Sequence, residues 1–222
     1  MPDWTFIRNL RGLLPLTAAP AISRIGNDHA LWPGEMTGEI ISAAPGRQAE
    51  FAAGRAAARL AMYHLGLPPV AIPMRPDRAP HWPHGLVGSI THSGRIALAA
   101  VAHQHDLAAI GIDLEIEDAV EPALWPTICR PEELAFLHTL PREKAPLAAT
   151  ALFCAKEAAY KAQYPLTRQR FDFDRLSVSL EDTRFTARFT RRTGPFGKDH
   201  TIAGHVVRLR GYMLATMALT AI

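Results

Sequence analysis

The sequence predicts an α+β protein with antiparallel sheets, on three observations. Short runs of alternating or continuously apolar residues recur through most of the 222-residue chain. Several neighbouring runs are separated only by a few turn-forming residues, which is hairpin spacing. Helical periodicity is confined to a few stretches, too few to supply the crossover helices that a parallel sheet requires.

Taken in order, residues 1–46 mix Pro, Gly and short apolar runs without a sustained period. From Gln48 to Leu65, Phe51, Ala52, Leu60, Ala61 and Leu65 recur at helical spacing, and Gly66 supplies the stop. Between Leu67 and His84 stand prolines 68, 69, 73, 76, 80 and 83, so this segment is expected to be an extended loop with much of its φ fixed. Val87–Ile90 and Ile96–His103 read as strands joined by a turn over residues 91–95, and Ala109–Ile116 reads as a third strand. Glu132–Leu140 is a short helix, and Leu147–Gln163 a longer one that Pro165 is expected to end. Leu176–Leu180, Arg184–Thr190, His205–Leu209 and Met213–Ile222 read as strands. The best place for a domain boundary is His103–Ala108.

Composition narrows the class. With 48% hydrophobic and 20% charged residues, the chain can bury a real core and is no disordered polyelectrolyte. Apolar runs never reach the length of about 18 residues that a spanning helix needs, so no membrane span is expected. Met1-Pro2-Asp3-Trp4 does not open a signal peptide. Cys129 and Cys154 cannot build a disulfide framework, and a reducing cytoplasm is the expected location. The net charge of +3 hides an asymmetry: residues 1–150 carry −3 and residues 151–222 carry +6. Of the 24 basic residues only Lys144, Lys156, Lys161 and Lys198 are lysines.

Four groups of residues carry chemical possibilities. In Gly111-Ile112-Asp113-Leu114-Glu115, strand alternation puts Asp113 and Glu115 on one face. Paired carboxylates suit Mg²⁺, which binds through one or two carboxylates plus phosphate oxygens; equally, they suit the polar face of an edge strand. In Phe153-Cys154-Ala155-Lys156-Glu157-Ala158-Ala159-Tyr160-Lys161-Ala162, Glu157 and Lys161 share a helix face at i,i+4, while Lys156 lies on another. Gly88-Ser89-Ile90-Thr91-His92-Ser93-Gly94-Arg95 offers hydroxyls, a histidine and backbone N–H groups to a phosphate. It is not a Gly-x-Ser-x-Gly nucleophile elbow. Arg47, Arg55, Arg75 and Arg78 are candidate phosphate forks, each also readable as a solvated surface charge. The pairs His81/His84 and His103/His105 lack the companion Cys or His pair of a zinc site. Arg184, Arg188, Arg191 and Arg192 belong to no nucleic-acid motif, and no nucleic-acid partner is expected.

In this order, with Arg47-Gln48-Ala49-Glu50-Phe51…Gly54-Arg55 and Arg78-Ala79-Pro80-His81-Trp82-Pro83 preceding them, the segments resemble the Sfp-type 4′-phosphopantetheinyl transferases, above all the branch of the enterobactin synthase transferase component. The similarity runs from about Arg47 to Leu180. It implies transfer of 4′-phosphopantetheine from coenzyme A to a serine of an apo acyl or peptidyl carrier protein, releasing adenosine 3′,5′-bisphosphate. The implied fold is two similar α+β halves, each a small antiparallel sheet packed with helix, related by a pseudo-twofold with coenzyme A in the cleft between them. Here the halves are expected at 1–105 and 106–222, in a monomer. By the same resemblance Asp113, Glu115 and Glu157 hold Mg²⁺, and Glu157, directly or through water, takes the serine proton. Lys161 contacts the pyrophosphate with Lys156 nearby, Thr91 and His92 bind a phosphate, and Arg47, Arg55 and Arg78 hold the 3′-phosphate and adenine end, with Arg75 a rival to Arg78. Ser93 stands where this branch often has Cys. Outside the resemblance, another Mg²⁺-dependent phosphohydrolase or nucleotidyl enzyme, or a non-catalytic coenzyme- or carrier-binding module, remains a reading of the same residues.

Overall fold

The computed structural model describes residues 4–117 and 119–220. It is an α+β structure with two sheets, as the strand and helix patterning predicts. By internal contacts the chain forms two compact units, one ending at Ile110 and the other spanning Gly111–Leu219, so the division falls inside a strand.

The first unit begins with two elements that sequence periodicity does not reveal: helix α1 (Trp4–Gly12) and strand β1 (Ala18–Arg24). A short helix α2 (Gly38–Ile41), capped by Thr37 Oγ1, leads to the long helix α3 (Pro45–His64). Strands β2 (Leu86–Ser93) and β3 (Ile96–His103) then form a hairpin. The sheet order is β1-β3-β2, with both pairings antiparallel. Pro20 lies in β1, an edge strand, where a missing N–H is tolerated. The hairpin turn is tighter than the sequence suggests: only Gly94 and Arg95 form it, with Gly94 at φ +56°. Thr91 and His92 are therefore strand residues and not part of the turn. One face of the sheet packs Ala21, Ala99 and Val101 against Ala57, Ala58, Ala61 and Met62 of α3. Small side chains on both surfaces let helix and sheet approach closely.

A buried ion pair anchors the loop ahead of α2. Arg59 Nη1 donates to Glu35 Oε1 and Oε2 at 2.6 and 2.5 Å, and Arg59 Nη2 donates to Ala30 O at 3.0 Å. The same carboxylate accepts the backbone N–H groups of Trp32 and Ile72. Glu35 is fully buried and accepts four hydrogen bonds from three donors, the condition under which a buried charge is tolerable.

The second unit starts in β4 (Ala109–Ile116) and continues through α4 (Trp125–Ile128), α5 (Pro131–Thr139) and α6 (Ala145–Thr167). Strands β5 (Leu176–Glu181), β6 (Arg184–Phe189), β7 (Thr201–Leu209) and β8 (Tyr212–Leu219) complete a sheet ordered β4-β8-β7-β6-β5. Pro165 does not end α6, which runs to Thr167 and stops where Arg168 adopts the left-handed conformation, φ 55°. In the last turn a missing N–H costs a single bond, so the proline is accommodated there. α6 buries an alanine face, Ala155, Ala158, Ala159 and Ala162, in a core shared with Phe185, Phe189 and Phe196. Among the described residues no helix is long and apolar enough to cross a membrane.

Candidate active site

The densest collection of predicted residues lies where α6 crosses β4. Contact there depends on Gly111: a Cβ at this position would stand 1.9 Å from Ala158 O and 2.8 Å from Ala162 N. The helix backbone thus rests directly on the strand. Gly111, Asp113 and Glu115 share one face of β4, so the side chain of Asp113 is presented to the same helix. Lys161 Nζ donates to Asp113 Oδ1 at 2.5 Å. Cys154 Sγ donates to Asp113 O at 3.2 Å, fixing the strand backbone from two turns earlier in α6.

Three charges meet at this crossing. Burial pushes the Glu157 carboxyl above its ordinary range, an effect Lys161 opposes and Asp113 reinforces. For Lys161, burial pulls the ammonium downward, but Asp113 and Glu157 outweigh it and the net shift is upward. These influences put Asp113, Glu157 and Lys161 in one electrostatic cluster; helical spacing accounts for Glu157 and Lys161 sharing a face, whereas Asp113 joins them only through the packing of α6 on β4. Glu115 is half-buried on β4. Among the described residues no three His, Cys, Asp or Glu side chains are already gathered as a metal site. The donor chemistry nonetheless fits Mg²⁺, because two carboxylates facing one space are the usual protein share of its oxygen shell.

Glu157 also borders a cleft of about 130 Å³, lined further by Lys156, Tyr160, Phe171, Asp172, Phe173 and Leu176. Its aromatic walls are braced, Phe171 packing edge-on to Tyr160 at 5.2 Å and Phe173 against Phe153 at 5.6 Å. Residue patterning gave no sign of this cleft, since its two walls are separated in sequence and joined only by packing.

Lys156 borders the cleft but does not join the Asp113–Glu157–Lys161 cluster. Its Nζ is buried and donates to Glu133 Oε2 at 2.6 Å, Ile128 O at 2.9 Å and Phe173 O at 3.2 Å. All three ammonium protons are used, leaving none for a phosphate. Five residues of helix turn Lys156 away from Lys161, and the partner Glu133 lies too far along the sequence to be read from spacing.

In the first unit a second set gathers on α3 and β2. Arg47 Nη1 donates to Glu50 Oε2 at 3.2 Å and to His92 Nε2 at 2.9 Å. A guanidinium only donates, so His92 Nε2 acts as acceptor. The approach is possible because Gly54, two turns along α3, lies against Ile90: an added Cβ would reach Ile90 Cγ2 at 3.0 Å. Ile90 and His92 occupy the same strand face, whereas Thr91, 5% exposed, points to the other. Thr91 and His92 are therefore not side by side toward a common ligand.

Arg55 is buried, its guanidinium 4.1 Å from the Phe51 ring centroid, and Nε has no hydrogen-bond partner. Burial lowers its pKa to about 10; Glu35 opposes, and Arg59 and Arg47 add to the fall. A desolvated cation among cations is a place that favours an anion. Arg75 Nε is likewise buried without a partner. Arg78 is exposed, at φ +68°, and pairs with Glu39 Oε1 at 2.9 Å.

Comparison with known proteins draws the two units together. Residues 35–102 match the model of the 4′-phosphopantetheinyl transferase N-terminal domain, and residues 109–216 match that of the 4′-phosphopantetheinyl transferase superfamily. The chain is 40% identical over 135 residues to 4′-phosphopantetheinyl transferase Npt of Nocardia iowensis, 61% of this chain and 60% of that protein. It is 40% identical over 159 residues to 4′-phosphopantetheinyl transferase Svp of Streptomyces mobaraensis, 69% and 64% of the two. With enterobactin synthase component D of Salmonella typhimurium it shares 41% over 127 residues, 55% and 51% of the two. The alignments thus span somewhat less than two thirds of those proteins. Both family models fall on the segments that build the Arg55 and Asp113 clusters, one on each, and by these matches the chain belongs to the 4′-phosphopantetheinyl transferase superfamily.

Proposed function

We propose that this protein transfers the 4′-phosphopantetheine group of coenzyme A to a serine hydroxyl of an apo acyl or peptidyl carrier protein, releasing adenosine 3′,5′-bisphosphate. The observation that carries this reading is the Asp113–Lys161–Glu157 cluster beside a cleft walled in part by Tyr160, Phe171 and Phe173, in a chain of this family.

The residues divide the coenzyme by its chemistry. Arg47, Arg55 and His92 hold the 3′-phosphate and adenine end. Arg75 joins them in preference to Arg78, because its buried Nε lacks a partner whereas Arg78 is engaged by Glu39. Lys161 swings an ammonium proton from Asp113 to the pyrophosphate. Asp113 and Glu157, with Glu115, are the residues that would hold Mg²⁺, which supplies charge neutralisation at the phosphate oxygens. The slim pantetheine arm suits the cleft walled by Tyr160, Phe171 and Phe173.

Glu157, raised by burial, is placed to accept the serine proton directly or through water. As that proton leaves, serine Oγ forms a bond to the phosphorus bearing pantetheine. The bond from this phosphorus to the bridging oxygen breaks, and the nucleotide departs with the electron pair. Lys161 neutralises charge developing on the phosphate oxygens. The +6 balance of residues 151–222 would draw an acidic carrier and speed encounter more than it tightens binding. We read the protein as a cytoplasmic monomer, consistent with its two buried free thiols.

The test is incubation of the purified protein with coenzyme A, Mg²⁺ and a panel of apo carrier proteins, read by mass spectrometry. A gain of about 340 Da on a carrier serine is expected, the mass of the transferred group. Consumption of coenzyme A without any carrier would instead indicate a phosphohydrolase, and binding without product a non-catalytic module.

A finer test addresses the 3′-phosphate. Arg55→Ala is expected to weaken coenzyme A binding by about 10-fold or more, the worth of a charge-assisted contact. Dephospho-coenzyme A, which lacks that phosphate, should bind the variant and the parent alike. Equal losses for both ligands would remove Arg55 from the 3′-phosphate.

A further inference from the structure

The Lys156–Glu133 pair is buried, fully satisfied and unused by the chemistry above. Its side chains are 0% and 2% exposed. Glu133 Oε2 accepts Lys156 Nζ and the N–H of Arg130 at 2.7 Å, and Oε1 accepts the N–H of Val178 at 2.6 Å. Lys156 in turn holds the carbonyls of Ile128 and Phe173. One ion pair therefore ties α6 to the end of α4, the start of α5, the turn at Phe173–Arg175 and strand β5.

Two of those attachments are walls of the cleft. Lys156, Glu157 and Tyr160 on α6 form one side; Phe171, Asp172, Phe173 and Leu176 form the other. The second side is mostly a connecting segment between α6 and β5 with little regular structure of its own. Lys156 fastens its backbone at Phe173 O, one residue away from Glu157 in the helix. An apolar pair of the same volume would fill the space but could not fix a carbonyl at a given distance. Buried pairs commonly contribute little net stability against such a replacement, so stability alone does not account for this one.

We propose that Lys156 and Glu133 are positioning residues that set the width of the cleft beside Glu157 and hence the fit of the coenzyme's pantetheine arm. This rests on the coenzyme reading given above. Neither residue touches the reacting atoms: Lys156 borders the cleft with its three ammonium protons committed to Glu133, Ile128 O and Phe173 O, and Glu133 acts through it.

The experiment compares two ligands on Lys156→Met and on the double variant Lys156→Met/Glu133→Gln, which removes both charges at similar volume. Affinities for coenzyme A and for adenosine 3′,5′-bisphosphate, which has no pantetheine arm, are measured calorimetrically with Mg²⁺ below the melting transition of each variant. Coenzyme A is expected to bind about 10-fold more weakly or worse, the scale of a small misplacement in a fitted site. The bisphosphate should bind as tightly as to the parent. Equal losses for both ligands, or no loss for either, would overturn the proposal. So would failure of the double variant to fold, which would assign the pair to stability. A parent protein that binds neither ligand would overturn the coenzyme reading itself.

Discussion

Asp113→Ala is expected to reduce carrier modification by about 10² to 10³-fold, the usual cost of removing one electrostatic group from a reacting centre. The chain should stay folded. Asp113 is buried, yet its loss does not strand an isolated charge, because Lys161 retains Glu157 as an electrostatic partner. The apolar contacts of β4, through Ile112 and Leu114 on the opposite face, are untouched. The measurement pairs the rate of mass gain on a carrier with a circular dichroism melt. Activity close to that of the parent would remove Asp113 from the site, whereas loss of the folded baseline would leave Asp113→Asn as the cleaner comparison.

The second large effect is on stability and comes from the smallest residue in the site. Gly111→Ala would bring a methyl group to within 1.9 Å of Ala158 O, a backbone atom that no rotamer change can move. Helix and strand must separate, and the alanine face of α6 loses its close contact over several residues. Overpacking of this kind costs about 3 kcal/mol or more when backbone must shift. The expected result is a lower urea midpoint at unchanged slope, together with loss of transfer, since Asp113 and Lys161 part as the elements move. An unchanged midpoint would show that the crossing has room that its geometry denies.

Why some of this was legible in the sequence follows from period and chemistry. β4 and α6 announce themselves because strand alternation and helical spacing are local, and their charged residues lie at positions where faces can be counted. α3 is equally plain, observed at Pro45–His64 against an expected Gln48–Leu65. By contrast β1 is Ala-Ala-Pro-Ala-Ile-Ser-Arg, short of branched residues, and becomes a strand only by pairing along β3. Thr91 and His92 looked like turn residues because glycine and hydroxyls surround them, whereas a two-residue turn leaves them in the ladder. Lys156 looked like a phosphate ligand because it adjoins Glu157 in sequence. Its neighbour in space, Glu133, arrives through tertiary packing, which no local period encodes.

The Lys161–Asp113 contact has a further consequence. A carboxylate with its own tethered counter-ion is charge-balanced by the polypeptide itself. At Asp113 the α6–β4 crossing thereby needs no added ion, unlike a structural metal centre whose ligands repel one another until the ion arrives. Folding does not wait on a ligand in this respect: Lys161 is already held by Asp113, a partner that on the proposed reading it would exchange for a phosphate.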